Sequence, residues 1–141
     1  MVIYLKNYCL LCMLLISGCS TLEQKNINNS NSNSYDLNYQ GNVKKGIIEF
    51  NNSRYLLALQ EFYMPAMKGE SIPQYYLGLM YAKGLGVEPN EEQATHWLEE
   101  SAGNTNIKAM FTLAEFYQNG NYLKKNISKS VNWYKKSAIN G

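Results

Sequence analysis

The sequence predicts an all-α protein, an α-solenoid of short helix–turn–helix units. Three observations carry the prediction. The chain repeats itself without a gap at a shift of 36 residues, a period in the range of helical solenoids. Each repeated unit holds two stretches with apolar residues at helical spacing, parted by a turn. Helix-start and helix-stop residues fall at matching places in both units.

At that shift Leu77 meets Leu113, Tyr81 meets Tyr117, Gly84 meets Gly120 and Asn90 meets Asn126. Trp97 meets Trp133, Ser101 meets Ser137, Ala102 meets Ala138, and Tyr75 and Phe111 align as aromatics. Agreement at a residue as rare as tryptophan argues against chance. The two tryptophans are expected to be packing residues.

Residues 43–70 form a degenerate first unit. Residues 43–50, with Gly46, Ile47, Ile48 and Phe50, read as its first helix, and Arg54 to Gly69 as its second, where Ala58 and Ala66 align on Ala94 and Ala102. Residues 71–106 form the second unit. Pro73 suits an opening helical turn, where a missing N–H costs little, and the helix runs to about Lys83 with Leu77 and Tyr81 on one face. Gly84-Leu85-Gly86-Val87-Glu88-Pro89 breaks it. Asn90 is an N-cap and Gln93 is placed to complete a capping box. The next helix spans about Glu91 to Ala102, with Ala94, Trp97, Leu98 and Ala102 at helical spacing. Residues 107–141 repeat the plan, with a helix at 108–118, a loop from Asn119, an N-cap at Asn126 and a final helix to about Asn140. Tyr122 and Leu123 replace Gly86 and Val87 here, so this loop is expected to be the looser of the two.

The first 42 residues are of another kind. Residues 1–18 carry one charge, Lys6, then an apolar run from Cys9 to Ile16, then the small residues Ser17 and Gly18 ahead of Cys19. That is the order of a secretory signal peptide. The run is about half of the roughly 20 apolar residues that span a bilayer. Cys9, Cys12 and Cys19 are the only cysteines, so the folded part can hold no disulfide and no thiolate metal site. Residues 19–42 are rich in Asn and Ser and read as a disordered tether, because too few apolar side chains offset the entropy of ordering. A flexible stretch of that length reaches roughly 25 Å.

Charge and composition exclude several function classes. A net charge of +2 makes no case for nucleic acid. His96 is the only histidine and lacks Cys or Asp partners nearby, which makes a poor metal site. Glu88, Glu91, Glu92, Glu99 and Glu100 form an acidic cluster that reads as a solvated helix face. Gly84-x-Gly86 follows a helix instead of a strand, so it is no dinucleotide motif. No catalytic residue, metal, cofactor or small-molecule substrate is expected. The last unit holds a basic patch, Lys124, Lys125, Lys129, Lys135 and Lys136, with no acid after Glu115. Glu99 aligns with Lys135 and Glu100 with Lys136, so stacking is expected to bring these rows near one another. The patch can pair between repeats, steer a partner or touch anionic lipid headgroups.

Residues 73–103 resemble the Sel-one-like repeat, a relative of the tetratricopeptide repeat, through Leu77, Gly78, Tyr81, Gly84, Gly86, Val87, Asn90, Ala94, Trp97 and Ala102. The following unit resembles it through Ala109, Leu113, Tyr117, Gly120, Asn126, Trp133, Ala138 and Gly141. The resemblance implies a right-handed solenoid that binds another protein. It also implies a concave groove lined by the first helix of each unit, which points to Tyr75, Leu79 and Lys83, then Phe111, Glu115 and Asn119. Ile16-Ser17-Gly18-Cys19 resembles the lipobox of bacterial lipoproteins. That resemblance implies cleavage before Cys19, acylation at Cys19 and, with Ser20 following, an outer-membrane anchor facing the periplasm. Two roles are then expected in order: an adaptor or scaffold for envelope proteins, and alternatively an immunity lipoprotein that neutralises a secreted toxin such as a phospholipase. Cysteine-rich relatives are described as acting on β-lactams, but the repeats here contain no cysteine.

Overall fold

The structure is a computed structural model that describes residues 40–141. Cys19 and most of the tether therefore lie outside the described residues. Among those described, every element is a helix. They run α1 Val43–Asn51, α2 Tyr55–Met67, α3 Ser71–Lys83, α4 Glu91–Gly103, α5 Ile107–Asn119 and α6 Ile127–Asn140. Each helix packs on its neighbours in sequence, giving three antiparallel pairs in a row. The degenerate first unit has both of its expected helices.

Asparagine starts four of the six helices. The side chains of Asn42, Asn90, Asn106 and Asn126 accept the backbone N–H three residues on, at 3.0, 2.9, 3.3 and 3.0 Å. Each satisfies one donor that the helix itself leaves unpaired. The expected capping box is only half formed. The backbone N–H of Asn90 donates to the Tyr81 carbonyl at 2.9 Å, and that of Asn126 to the Tyr117 carbonyl at 2.8 Å. The end of one helix thus supplies the acceptor that Gln93 was expected to supply. Asn90→Ala should therefore cost about 1 kcal/mol, while Gln93→Ala costs a few tenths, as read from urea unfolding.

Helices α3 and α5 both stop on a glycine in the left-handed region, Gly84 at φ 67° and Gly120 at φ 72°. A side chain there would be strained, so glycine is the residue that lets the chain turn. After α3 the Leu85 N–H reaches back to the Met80 carbonyl at 2.9 Å, a Schellman closure. After α5 the Gly120 N–H bonds the Phe116 carbonyl at 2.9 Å. The second loop is not left loose by its missing glycine. Leu123 is 2% exposed, and Tyr122 lies against Phe116 with ring centroids 4.7 Å apart. The larger side chains anchor the loop to the core instead of opening it.

The core comes in two parts along the stack. Ala58, Phe62, Ala66, Leu77, Met80 and Trp97 form the first. Ala94, Leu98, Ala102, Met110, Leu113 and Phe116 lead the second. Small residues let the helices close up and large ones fill what remains. Buried polar groups at the joins are paired. Ser101 Oγ donates to the Ser71 carbonyl at 2.6 Å, Gln74 Nε2 to Ala66 O at 3.1 Å, and Ser130 Oγ to Ala114 O at 2.8 Å.

The first unit departs from the other two at one telling position. Glu61 occupies the place that Trp97 and Trp133 hold one and two repeats later. It is buried and meets Lys45 at 2.6 Å. Burial raises its carboxyl above the ordinary carboxylate range, against the downward pull of the Asn42 backbone N–H. Trp97 packs as expected, at 6% exposed. Trp133 is only half-buried, with the Lys136 ammonium 4.2 Å from its ring centroid. The aligned tryptophans are therefore not equivalent.

Candidate interaction grooves

Two depressions collect the residues that the sequence singles out. The first opens beside α5, about 400 Å³ in volume, and is lined by Tyr75, Phe111 and Glu115 together with Ile107, Lys108 and Ser137. Residues 107, 111 and 115 are four apart, so they share one face of the helix. Phe111 is the exposed aromatic of this set, 47% accessible, held edge-on to Tyr134 with centroids 5.5 Å apart. The Tyr134 hydroxyl is in turn fixed by Gln118 Oε1 at 2.7 Å. Tyr75 is half-buried and packs on the second core cluster.

Three of the six residues expected in the groove line this depression, and three do not. Leu79 packs half-buried on the second core cluster. Lys83 is exposed with its ammonium 5.7 Å from the Tyr122 ring centroid, and Asn119 is exposed in the final turn of α5. Lys83 and Asn119 lie eight residues beyond Tyr75 and Phe111, roughly 12 Å further along their helices at about 1.5 Å per residue, past the end of the depression. Ile107, Lys108, Thr112 and Ser137, which also line it, were missed. The spacing 107, 111, 115 was available in the sequence, but a helix taken to start at residue 108 hides its first member.

The second depression is larger, about 740 Å³, and has walls of opposite charge. Glu91, Glu92 and Glu99 stand on the α4 side, and Lys124, Lys125 and Lys129 on the other. The Glu91 carboxylate accepts the backbone N–H of Lys124 at 2.7 Å, which ties the α5–α6 loop to α4. Lys129 Nζ lies 3.3 Å from the Tyr117 hydroxyl and 4.9 Å from its ring centroid. These charges thus already serve the join between repeats.

The basic patch is split by the fold. Lys135 and Lys136 do not line the charged depression. Nor are Glu99 and Glu100 paired with them. Among the described residues the ion pairs are Lys45–Glu61 and Arg54–Glu49, both in the first unit. Helices α4 and α6 both pack on α5, which separates the aligned rows by a whole helix. The lysines beside the acidic wall are those at the start of α6 and in the loop before it. His96 is exposed at that wall next to Trp97. Among the described residues no group of three or more His, Cys, Asp or Glu side chains comes together to hold a metal ion.

Comparison with known proteins agrees with this architecture. The Sel1 repeat family model matches residues 74–106 and 107–141. A crystal structure of a Sel1 repeat protein from Oxalobacter formigenes superposes with a TM-score of 0.63 at 34% identity, covering 70% of this chain and 40% of that one. The chitin synthase regulator SKT5 of Saccharomyces cerevisiae is 34% identical over 88 residues, 60% of this chain and 12% of SKT5. The chain thus spans well under half of each of these relatives. Among the described residues every element is a helix, and residues 74–106 and 107–141 are similar to Sel1 repeats, an architecture of protein–protein interaction modules.

Proposed function

We propose that this chain is a lipid-anchored, periplasm-facing adaptor that binds a partner protein at the α5 groove and catalyses no reaction. The observation that carries the binding reading is Phe111, a large aromatic left half-exposed beside Tyr75 with Lys108 and Glu115 around it. An accessible aromatic seated in a depression and ringed by polar groups is the anatomy of an interface anchor. The anchor reading rests on Ile16-Ser17-Gly18-Cys19 at the end of the apolar run. The yeast relative is named as a regulator of chitin synthase, a role exerted on another protein.

The test is crosslinking and pull-down of the tagged, lipidated protein from cell envelopes, with mass spectrometry of what is captured. Crosslinks from one or more envelope proteins mapping to Tyr75, Phe111 and Glu115 support the reading. A single stoichiometric toxin at the same surface would replace the adaptor with the immunity role. Crosslinks confined to other surfaces would refute the groove. For a captured partner, Phe111→Ala should weaken binding by about 2 kcal/mol, roughly thirtyfold. The same change at Lys135, which lies outside the groove, should leave affinity within about twofold.

A further inference from the structure

The second helix of each repeat turns the same positions outward. On α4 these are Glu92, His96, Glu99 and Gly103, and on α6 they are Ser128, Asn132, Lys135 and Ile139, all exposed. The equivalent residues of α2 are Leu56, Gln60, Tyr63 and Met67, also all exposed. Leu56 is 69% accessible and Met67 57%. Leu57 lies exposed beside them and, with Leu56, lines an apolar depression of about 370 Å³ that ends at Gly86. The repeat geometry is shared, so packing does not explain the difference. One helix in three shows an uncharged, largely apolar row where its counterparts show acids or a lysine. The sole acid of α2, Glu61, points inward, and the row is bracketed by the cations Arg54 and Lys68.

The described chain enters the fold against α2, on the face that carries the buried Glu61 and Pro65. Gln40 Oε1 accepts from Lys68 Nζ. The backbone of Gly41 packs so closely on Pro65 and the Glu61 carbonyl that a side chain there would collide with both. The entry point is therefore pinned to the C-terminal half of α2, at Glu61, Pro65 and Lys68. Twenty-one peptide steps separate Gln40 from Cys19, which span at most roughly 75 Å even if fully extended. A chain anchored at Cys19 would hold this helix close to the bilayer at high effective concentration. Under those conditions a few apolar side chains are enough to seat a face that would not bind membrane from free solution.

We propose that the outward face of α2, centred on Leu56, Tyr63 and Met67, lies on the lipid surface and orients the solenoid with the acidic and basic outer faces of α4 and α6 turned elsewhere. The inference rests on the lipoprotein reading of Cys19. Tyrosine at the polar boundary, Leu and Met beneath it and flanking cations match a helix that lies in an interface.

The mature chain offers a direct test, because Cys19 is its only cysteine and acylation would block it. Tyr63→Cys and Glu99→Cys place one reactive thiol on the outer face of α2 or of α4. Each lipidated variant is labelled with an environment-sensitive fluorophore and inserted into vesicles of phosphatidylethanolamine with a minority of phosphatidylglycerol carrying a spin-label quencher on the lipid. At position 63 the emission should move to shorter wavelength and be quenched at least about threefold more than at position 99. Leu56→Glu with Met67→Glu, both at exposed sites, should abolish that difference while the helical signal stays unchanged. Equal quenching at 63 and 99 overturns the proposal. So does a blue shift at 63 that persists in detergent without lipid and grows with protein concentration, which would make the face a contact between copies. The mass of the N-terminal peptide reports acylation separately. An unmodified Cys19 would remove the anchor and this inference together, whereas an acylated Cys19 with no difference at 63 would remove the inference alone.

Discussion

Leu98→Ala is expected to lower the unfolding free energy by about 2–5 kcal/mol, the range for a buried leucine truncated to alanine. Leu98 is 0% exposed in the second core cluster, and its branch sits against the backbone of α3 at Gly78. Little can move in to refill the space. Ala94 and Ala102, on the same helix, are too small to reach across, and α3 is already in backbone contact. The total stability of a domain this size is about 5–15 kcal/mol, so the loss is a large share. Urea unfolding followed by circular dichroism gives the number. A cost below 1 kcal/mol would mean that the α3–α4 contact is not a closed core.

The same contact predicts that Gly78 and Leu98 are energetically coupled. A methyl placed there would lie 2.5 Å from Leu98 Cγ and 3.1 Å from the Leu98 backbone nitrogen. Overpacking of this kind costs about 1–3 kcal/mol, against a gain of about 1 kcal/mol from replacing glycine within a helix. Gly78→Ala should therefore destabilise the protein by up to about 2 kcal/mol. With Leu98 already alanine the two closest carbons are gone and only the backbone nitrogen of residue 98, at 3.1 Å, still presses on the new methyl. Gly78→Ala should then cost about 1–2 kcal/mol less than it does beside Leu98, a coupling within the range seen for touching residues. Four unfolding curves complete the cycle. Additive effects would show that the two residues do not meet.

These two residues also mark what could be read in advance. Leu98 was legible as a core position from its spacing with Ala94 and Ala102, and Gly78 from its place in the repeat. That glycine faces leucine across α3 and α4 was not, because a period locates equivalent positions in different units and says nothing of which side chains meet within one. The asparagine caps show the same division. Asn90 and Asn126 announce themselves by type and position, since a short polar side chain is what an unpaired helix N–H requires. The acceptor for their own N–H groups lies on the preceding helix, at Tyr81 and Tyr117, and no local rule points there.

The groove and the charges were read less completely. Tyr75, Phe111 and Glu115 come together because they keep one helix face towards one depression. Leu79 is taken up by the second core cluster, and Lys83 and Asn119 end their helices, beyond the depression. The pairing expected between Glu99 or Glu100 and Lys135 or Lys136 fails for a geometric reason. Residues equivalent by repeat are a full helix pair apart, whereas the loop ahead of α6 lies alongside α4 and brings Lys124 to Glu91.

By itself the sequence determined the helical class, the period, the places where helices start and stop, and the apolar run that ends at Cys19. These follow from properties each residue carries wherever it stands: a side-chain oxygen that caps, a missing Cβ that permits a left-handed turn, an apolar surface that avoids water. Only the tertiary structure decided that Trp133 stays half-open while Trp97 closes, that Glu61 replaces them both and finds Lys45, and that Phe111 is left accessible beside Tyr75. Those outcomes depend on which surface arrives opposite each residue, and that is a property of the packed stack as a whole.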